Sequence, residues 1–425
     1  MASFRERLER DVERISPPDL TYDDLWRRRD RKRRNERIRV VVVALLIAAL
    51  GVLVPLRLLG GFGRERTRPA APIDRSTVGD LGLRWDLPAG GAPPATTERA
   101  ALVIDRSGSL LAVEATSGRG LWRSDAGQLI RVGASGGSAF AITSSGELLA
   151  FDGDCRRDGG PCAPEWTGDV EGAALTALTP ANGLVLVSST EGLHAFDVSC
   201  GASPCGPVWT APVAGGVTAA PIVAGGTTVV ASADGTVYAF DLACGRDGSE
   251  CAPSWTAPPS PEAAFVSVAA GVDAIYAGAT DGNVYTFPAG CRDDGGTCAP
   301  SLFARSGSRD AVRALTVGGS QVLAAPASGG LIAFPTACDL SPCGPSWRVE
   351  TVRPLTTAPA LSGGLVFAVT VDGTVLALDG SCLGSCEPLE VVETGFDTAT
   401  IAVTTRAVVV VGPGAALGFT TEGSA

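Results

Sequence analysis

Twelve cysteines and a single histidine are the residues of this 425-residue chain with the most specific chemistry. The cysteines fall in six close pairs: Cys155/Cys162, Cys200/Cys205, Cys244/Cys251, Cys291/Cys298, Cys338/Cys343 and Cys382/Cys386. Such pairs form disulfides or hold a metal. Metal binding wants C-x-x-C spacing or a Cys/His mixture, and neither occurs. Disulfides imply an oxidising compartment. Closing loops this short stabilises by roughly 2–3 kcal/mol each in the chain-entropy model. The lone His194 has no second histidine beside it, so a serine or cysteine nucleophile would lack its usual base. The acidic pairs Asp152/Asp154 and Asp293/Asp294 suit turn capping, with calcium binding as the competing use. No phosphate-cradling G-x-x-x-x-G-K-[ST] is present. These residues give no catalytic, cofactor-binding or metal site.

What positions them is a repeat, seen best at residues 227–258, TTVVASADGTVYAFDLACGRDGSECAPSWTAP. Thr227 to Ala231 and Val237 to Phe240 are β-branched and apolar, as pleated strands are. Asp234-Gly235 between them is a two-residue hairpin signal. Cys244 and Cys251 bracket a Gly-rich loop, and Trp255 opens a further strand that Pro258 ends. The turn glycine recurs as Gly108, Gly146, Gly192, Gly235, Gly282, Gly330, Gly373 and Gly414, at intervals from 38 (108 to 146) to 48 (282 to 330) residues. Shortly after it comes a small-residue column: Ala112, Ala150, Ala195, Ala239, Thr286, Ala333, Ala377 and Gly418. Next is a large apolar column: Val113, Phe151, Phe196, Phe240, Phe287, Phe334, Leu378 and Phe419. Trp122, Trp166, Trp209, Trp255 and Trp347 mark a later strand, with Phe303 and Leu389 in their place in two repeats. One unit cannot bury its own apolar face, so the units must stack on each other. His194 falls in a column with Leu149, Tyr238, Tyr285, Ile332 and Leu376, which reads as packing.

The motif Ala112-x-Glu114-x-x-x-Gly118-x-x-x-Trp122 resembles the tryptophan-docking repeat of PQQ-type β-propellers. That family includes the quinoprotein alcohol dehydrogenases and the propeller lipoprotein of the outer-membrane assembly machine. The resemblance spans residues 79–425. It implies an all-β, eight-bladed β-propeller in which each repeat is one four-stranded blade. It also implies that Trp85, Trp122, Trp166, Trp209, Trp255 and Trp347 dock between blades. The last repeat, Thr398 to Glu422, stops before its tryptophan strand, and Gly82 to Leu87 supplies it, so the two chain ends share one blade and close the ring. Six blades depart from the family pattern by carrying a Cys-bracketed loop. Because each cysteine pair falls in the same loop of successive blades, pairing within the loop is the scheme that serves every blade alike.

The resemblance also raises a PQQ enzyme. PQQ-binding members use an adjacent-cysteine disulfide, a stacking tryptophan and a calcium held by carboxylate and amide groups. This chain has no Cys-Cys dipeptide, no haem motif C-x-x-C-H, and asparagine only at Asn35, Asn182 and Asn283. No cofactor is expected, PQQ included. Nor is nucleic acid: residues 1–39 hold 13 basic and 9 acidic groups, the remainder 21 and 36, so the repeat region is strongly acidic. A single lysine, Lys32, against 33 arginines fits a GC-rich genome.

Ahead of the repeats, residues 1–38 read as a basic cytoplasmic tail. Phe4, Leu8, Val12 and Ile15 make a narrow apolar stripe, and Leu20, Tyr22, Leu25 and Trp26 a second patch. The run RRRDRKRRNERIR at 27–39 abuts the uncharged, mostly apolar Val40 to Leu56. Residues 39–59 read as one transmembrane helix, since about 20 residues span the hydrocarbon core. The nine basic residues before the span outnumber Arg64, Arg66, Arg68 and Arg75 after it, which places the N-terminus in the cytoplasm and the propeller outside. No clear A-x-A site follows the apolar run, against a cleaved signal peptide, and no cysteine precedes Cys155, against a lipid anchor. Residues 60–78 read as an extracytoplasmic linker. The functional expectation is a non-catalytic, membrane-anchored binding or scaffolding module whose partners are the membrane and another envelope or cytoplasmic protein. The alternative is a transmembrane regulator resembling anti-sigma proteins, although their H-x-x-x-C-x-x-C motif is absent. The second alternative is a PQQ-dependent dehydrogenase.

Overall fold

Runs rich in β-branched and aromatic residues, broken by Gly-, Asp- and Ser-rich turns, form most of the described strands. A computed structural model describes residues 70–170, 175–245, 248–260, 263–288, 291, 296–338 and 341–421. The tail, the span at 39–59, most of the linker, and Asp293/Asp294 lie outside the described residues. Among the described residues no helix is long and apolar enough to cross a membrane.

The strands make eight antiparallel meanders of four strands, one per blade. Blade 1 uses Ala95–Thr96, Ala100–Ile104, Leu110–Glu114 and Gly120–Ser124. Blade 2 uses Leu129–Ser135, Ser138–Thr143, Glu147–Asp152 and Trp166–Asp169. Blade 3 uses Leu175–Ala181, Leu184–Ser189, Gly192–Asp197 and Trp209–Pro212. Blade 4 uses Ile222–Ala224, Thr227–Ala231, Val237–Asp241 and Trp255–Ala257. Blade 5 uses Phe265–Ala270, Ala274–Ala279, Asn283–Pro288 and Ser301–Arg305. Blade 6 uses Val312–Gly318, Gln321–Pro326, Leu331–Pro335 and Trp347–Val349. Blade 7 uses Ala360–Ser362, Leu365–Val369, Thr374–Asp379 and Glu390–Glu393. Blade 8 uses Thr400–Val403, Val408–Gly412 and Gly414–Thr421, then takes its outer strand, Leu81–Ala89, from the other end of the chain. The first strands of blades 1 and 8 touch, which closes the circle.

Register explains the two sequence columns. The small residue lies directly opposite the tryptophan of its own outer strand: Ala112 with Trp122, Ala150 with Trp166, Ala195 with Trp209, Ala239 with Trp255, Ala333 with Trp347, and Gly418 with Trp85. A side chain of any size there would meet the cross-strand indole; a Cβ on Gly418 would enter the Trp85 ring. The large apolar column forms the blade cores, with Phe151, Phe196, Phe240, Phe287 and Phe334 wholly buried.

Three expectations are corrected. Asp234-Gly235 does not form a two-residue hairpin. Ser232 donates to and Gly235 closes on the same turn (Ser232 N to Thr236 O 3.0 Å, Gly235 N to Ser232 O 3.0 Å), leaving a three-residue loop with Gly235 at φ +84°. This is the type I turn plus left-handed glycine that also joins strands well, and Asp105–Ser109 and Thr370–Thr374 repeat it. In blade 7 the residue opposite the small Ala377 is Glu390, not Leu389. Glu390 stands four residues after Cys386, the spacing that Cys162, Cys205, Cys251 and Cys343 keep to their tryptophans. Lastly, the linker read at 60–78 does not extend to 78. Ile73 and Val78 are buried in the core of blades 7 and 8, so residues 70–78 belong to the propeller.

Candidate functional site

The residues with the most chemistry converge at the junctions between blades. Five docking tryptophans donate their indole N–H to a main-chain carbonyl of the next blade: Trp85 to Ala115 (2.9 Å), Trp122 to Gly153 (2.9 Å), Trp166 to Val198 (3.1 Å), Trp209 to Leu242 (3.2 Å) and Trp347 to Gly380 (3.3 Å). Each carbonyl follows the acidic residue that ends the third strand. A buried indole N–H needs such a partner, and Trp122, Trp209, Trp255 and Trp347 are all but fully buried.

Each of the six cysteine pairs is a disulfide within its own loop, with Cα–Cα distances of 5.8 to 6.2 Å. The second cysteine packs onto the preceding blade's tryptophan: Cys162 with Trp122, Cys205 with Trp166, Cys251 with Trp209, Cys298 with Trp255 and Cys386 with Trp347. In blade 5 a shift in the outer strand puts Ser301 opposite Thr286 and lets Phe303 fill the role, against Phe334 and Cys343 of blade 6. Blade 1 has no disulfide. Its Gly118, at φ +68°, lies flat on Trp85, where a Cβ would come within 2.5 Å of the ring. Gly118 stands four residues before Trp122, just as Cys162 stands before Trp166, Cys205 before Trp209, Cys251 before Trp255 and Cys343 before Trp347. The cysteine pair thus takes over the position of the repeat's glycine.

The loops also bond the edge of the preceding blade. The amide of each second cysteine donates to the outer strand of the preceding blade: Cys162 to Arg123 (2.7 Å), Cys205 to Thr167 (2.5 Å), Cys251 to Thr210 (2.7 Å), Cys298 to Thr256 (2.7 Å), Cys343 to Phe303 (2.6 Å) and Cys386 to Arg348 (2.8 Å). Every contact is a parallel addition to the edge, two residues long at Gly160–Pro161 and Gly384–Ser385 and a single bridge at the others. An aromatic side chain reaches forward and a loop reaches back, so the six junctions from blades 1–2 to blades 6–7 are fastened from both sides. The signal for it was in the sequence, as the fixed Cys-to-Trp spacing, but the partner strand could be known only from the fold.

The remaining candidates are structural in their contacts. His194 sits in the third strand of blade 3 opposite Val187 and Thr210. Burial pushes its imidazole below the ordinary value, with the Glu191 carboxylate pulling weakly the other way. The Asp152 carboxylate accepts from the Asp154 amide at 2.9 Å, a turn cap. Burial opposes ionisation of Asp234, yet the Thr236 amide and the Tyr238 hydroxyl hold its carboxyl below the usual range. A cleft of about 660 Å³ lies between blades 1 and 2, lined in part by Arg119, Glu114, Arg157 and Asp154. Arg119 and Arg157 each lie 3.5 Å from the carboxylate beside them, Glu114 and Asp154.

All cysteines are committed to loop disulfides, and the six docking tryptophans face blade junctions. Asn283 is bonded to Asp281 beside it (Nδ2 to Oδ2 2.7 Å). Among the described residues no three His, Cys, Asp or Glu side chains converge as a metal site would require.

The sequence matches the family described as "Outer membrane protein assembly factor BamB" over residues 106–203 and 182–381. No curated protein matches it. Among solved structures, BamB from Moraxella catarrhalis is 19% identical with a TM-score of 0.59, over 81% of this chain and 99% of that one. Quinohemoprotein alcohol dehydrogenase from Comamonas testosteroni is 14% identical with a TM-score of 0.57, over 84% and 79%. Sqt1 from Saccharomyces cerevisiae is 11% identical with a TM-score of 0.62, over 81% and 99%. These likenesses speak to fold.

Proposed function

This chain belongs to the family of the outer membrane protein assembly factor BamB, and from that premise we propose that its propeller is a non-catalytic module that binds and holds protein partners in the cell envelope. The span read at residues 39–59 would tether it, with the propeller outside. One observation supports the reading most: the side chains capable of chemistry are spent on the ring itself. The cysteines are paired, five docking indoles bond the neighbouring blade, and His194 lies within a sheet. A rigid ring with varied loops and edges is suited to recognition. The quinohemoprotein alcohol dehydrogenases share the fold, but this chain's cysteines, docking tryptophans and Asn283 are engaged elsewhere, so the enzyme reading rests on fold alone.

The test is in vivo crosslinking of the full chain followed by affinity capture, set against a form lacking residues 70–425. An envelope protein captured only by the full chain is the expected result. Capture of none, together with PQQ-dependent dye reduction on alcohols or sugars, would overturn the proposal in favour of a dehydrogenase.

A further inference from the structure

The outer edges of the blades are not alike. In blades 1 to 4 and in blade 6 the residue after the docking position turns its backbone outward and the next blade's loop bonds it; in blade 5 the bonded carbonyl is that of Phe303. Arg123, Thr167 and Arg348 accept through their carbonyls, and Thr210 and Thr256 both accept and donate. Blade 7 has the same strand and lacks the cover. Its docking position is Glu390, so by the same register Val391 turns its N–H and C=O outward. Glu390–Glu393 ends its sheet, and among the described residues no main-chain group bonds that edge. The reason is the ring closure. The segment before blade 8's outer strand is the lead-in at 70–80, which runs to Thr405 and to the blade 7 corner instead (Ile73 N to Thr405 O 2.8 Å; Arg75 to Asp379 and Ser381).

Blade 8 also ends in a bare strand, but that edge is blunted. Leu81–Ala89 carries Pro88, a register shift between Leu83 and Trp85, and charges of both signs at Arg84 and Asp86, devices that discourage pairing. Glu390–Glu393 has no proline and no register shift. In the strand and next to it, Val391 is 49% exposed and Leu389 40%, two of the seven large apolar side chains exposed on the described surface. From Gly380 to Thr400 the charges are Glu387, Glu390, Glu393 and Asp397, with no lysine or arginine. Two copies of such an edge would repel each other.

We propose that the Glu390–Glu393 edge of blade 7 is a docking edge, which an extended polypeptide segment alternating basic with β-branched or apolar residues joins as a parallel strand. The direction follows from the six covered blades, where each addition is parallel. The outward backbone of Val391 supplies the hydrogen bonds, and the glutamates select the charge. This rests on the reading of the propeller as a binding module and names the surface and the chemistry of its partner.

The probe is a labelled seven-residue peptide alternating arginine with threonine and valine, titrated into the full chain by fluorescence anisotropy. The same peptide with glutamate for arginine is the control. The basic peptide should bind at least ~10-fold more tightly than the acidic one, less so as salt is raised. Val391→Pro removes only an outward N–H, so it should keep the melting temperature and lose at least ~10-fold in affinity. Should that variant fold poorly, Glu390→Arg with Glu393→Arg changes side chains alone and should reverse the preference to the acidic peptide. Undetectable binding by the unaltered chain, or equal binding by both variants, would overturn the proposal. Envelope capture that persists while the peptide fails would remove the edge and leave the binding module standing.

Discussion

The junctions between blades 1 and 7 and the junction between blades 7 and 8 solve one packing problem in two ways. From blade 1 through blade 7, an aromatic side chain is driven into the next blade and a disulfide loop folds back over it. At the 7–8 junction no aromatic residue holds the docking position and no disulfide loop folds back. Glu390 stands where the tryptophan would, and blade 8 has no loop because its outer strand comes from the other chain end. The lead-in fills the gap. Ile73 and Val78 enter a core with Leu365, Phe367, Val410 and Phe419, and Arg75 ties the segment to Asp379 and Ser381. Disulfide loops thus brace the junctions from blades 1–2 to blades 6–7, and plain apolar burial serves beside blade 8, the blade in which the two chain ends pair and shut the ring. Closure without a covalent link relies on a segment that could detach, so the two kinds of junction should respond differently to perturbation.

Complete reduction should separate them most. Each loop bridge contributes about 2 kcal/mol in the chain-entropy model, so opening all six should lower the melting temperature of the full chain more than any single substitution. Proteolytic cuts should then appear first in the cysteine loops. An unchanged melting curve in reductant would show that the indole contacts suffice. Trp209→Ala comes next, because the side chain is fully buried and such truncations cost about 3–5 kcal/mol. Denaturant unfolding should show that loss with Cys244–Cys251 still oxidised by mass mapping. Ile73→Ala should cost about 2–5 kcal/mol and expose the 7–8 junction to protease while blades 2 to 6 stay protected. A loss spread evenly round the ring would erase the distinction drawn here. Arg75→Ala should cost under ~1 kcal/mol, since its side chain is 57% exposed and surface ion pairs are weak.

The smallest effect is a pH dependence inside blade 3. Burial lowers the His194 pKa, so the unfolded chain takes up the proton first. Its contribution is therefore complete above the ordinary imidazole value, 6.5, and is lost as pH falls through the lower folded value. His194→Leu, the residue at the matching Leu149 and Leu376, should flatten the melting temperature between about pH 7.5 and 5. An identical slope in that variant would assign it to the carboxylates.

Much of this was written in the chain itself. Repetition made the eight blades, the apolar column, the loop disulfides and the ring-closing strand readable, because a unit that must stack on copies of itself repeats its core residues at fixed places. Local patterns alone fixed those features. What only the assembled fold decided lies between units. Glu390 rather than Leu389 stands at the docking position because register, not residue type, sets which side chain opposes Ala377. Residues 70–78 belong to the ring because the closing junction left an apolar vacancy that Ile73 and Val78 fill, although their surroundings in sequence look like linker. The cysteine loops cover their neighbours' edges because blade spacing brings them within hydrogen-bonding reach, a distance that no run of residues encodes.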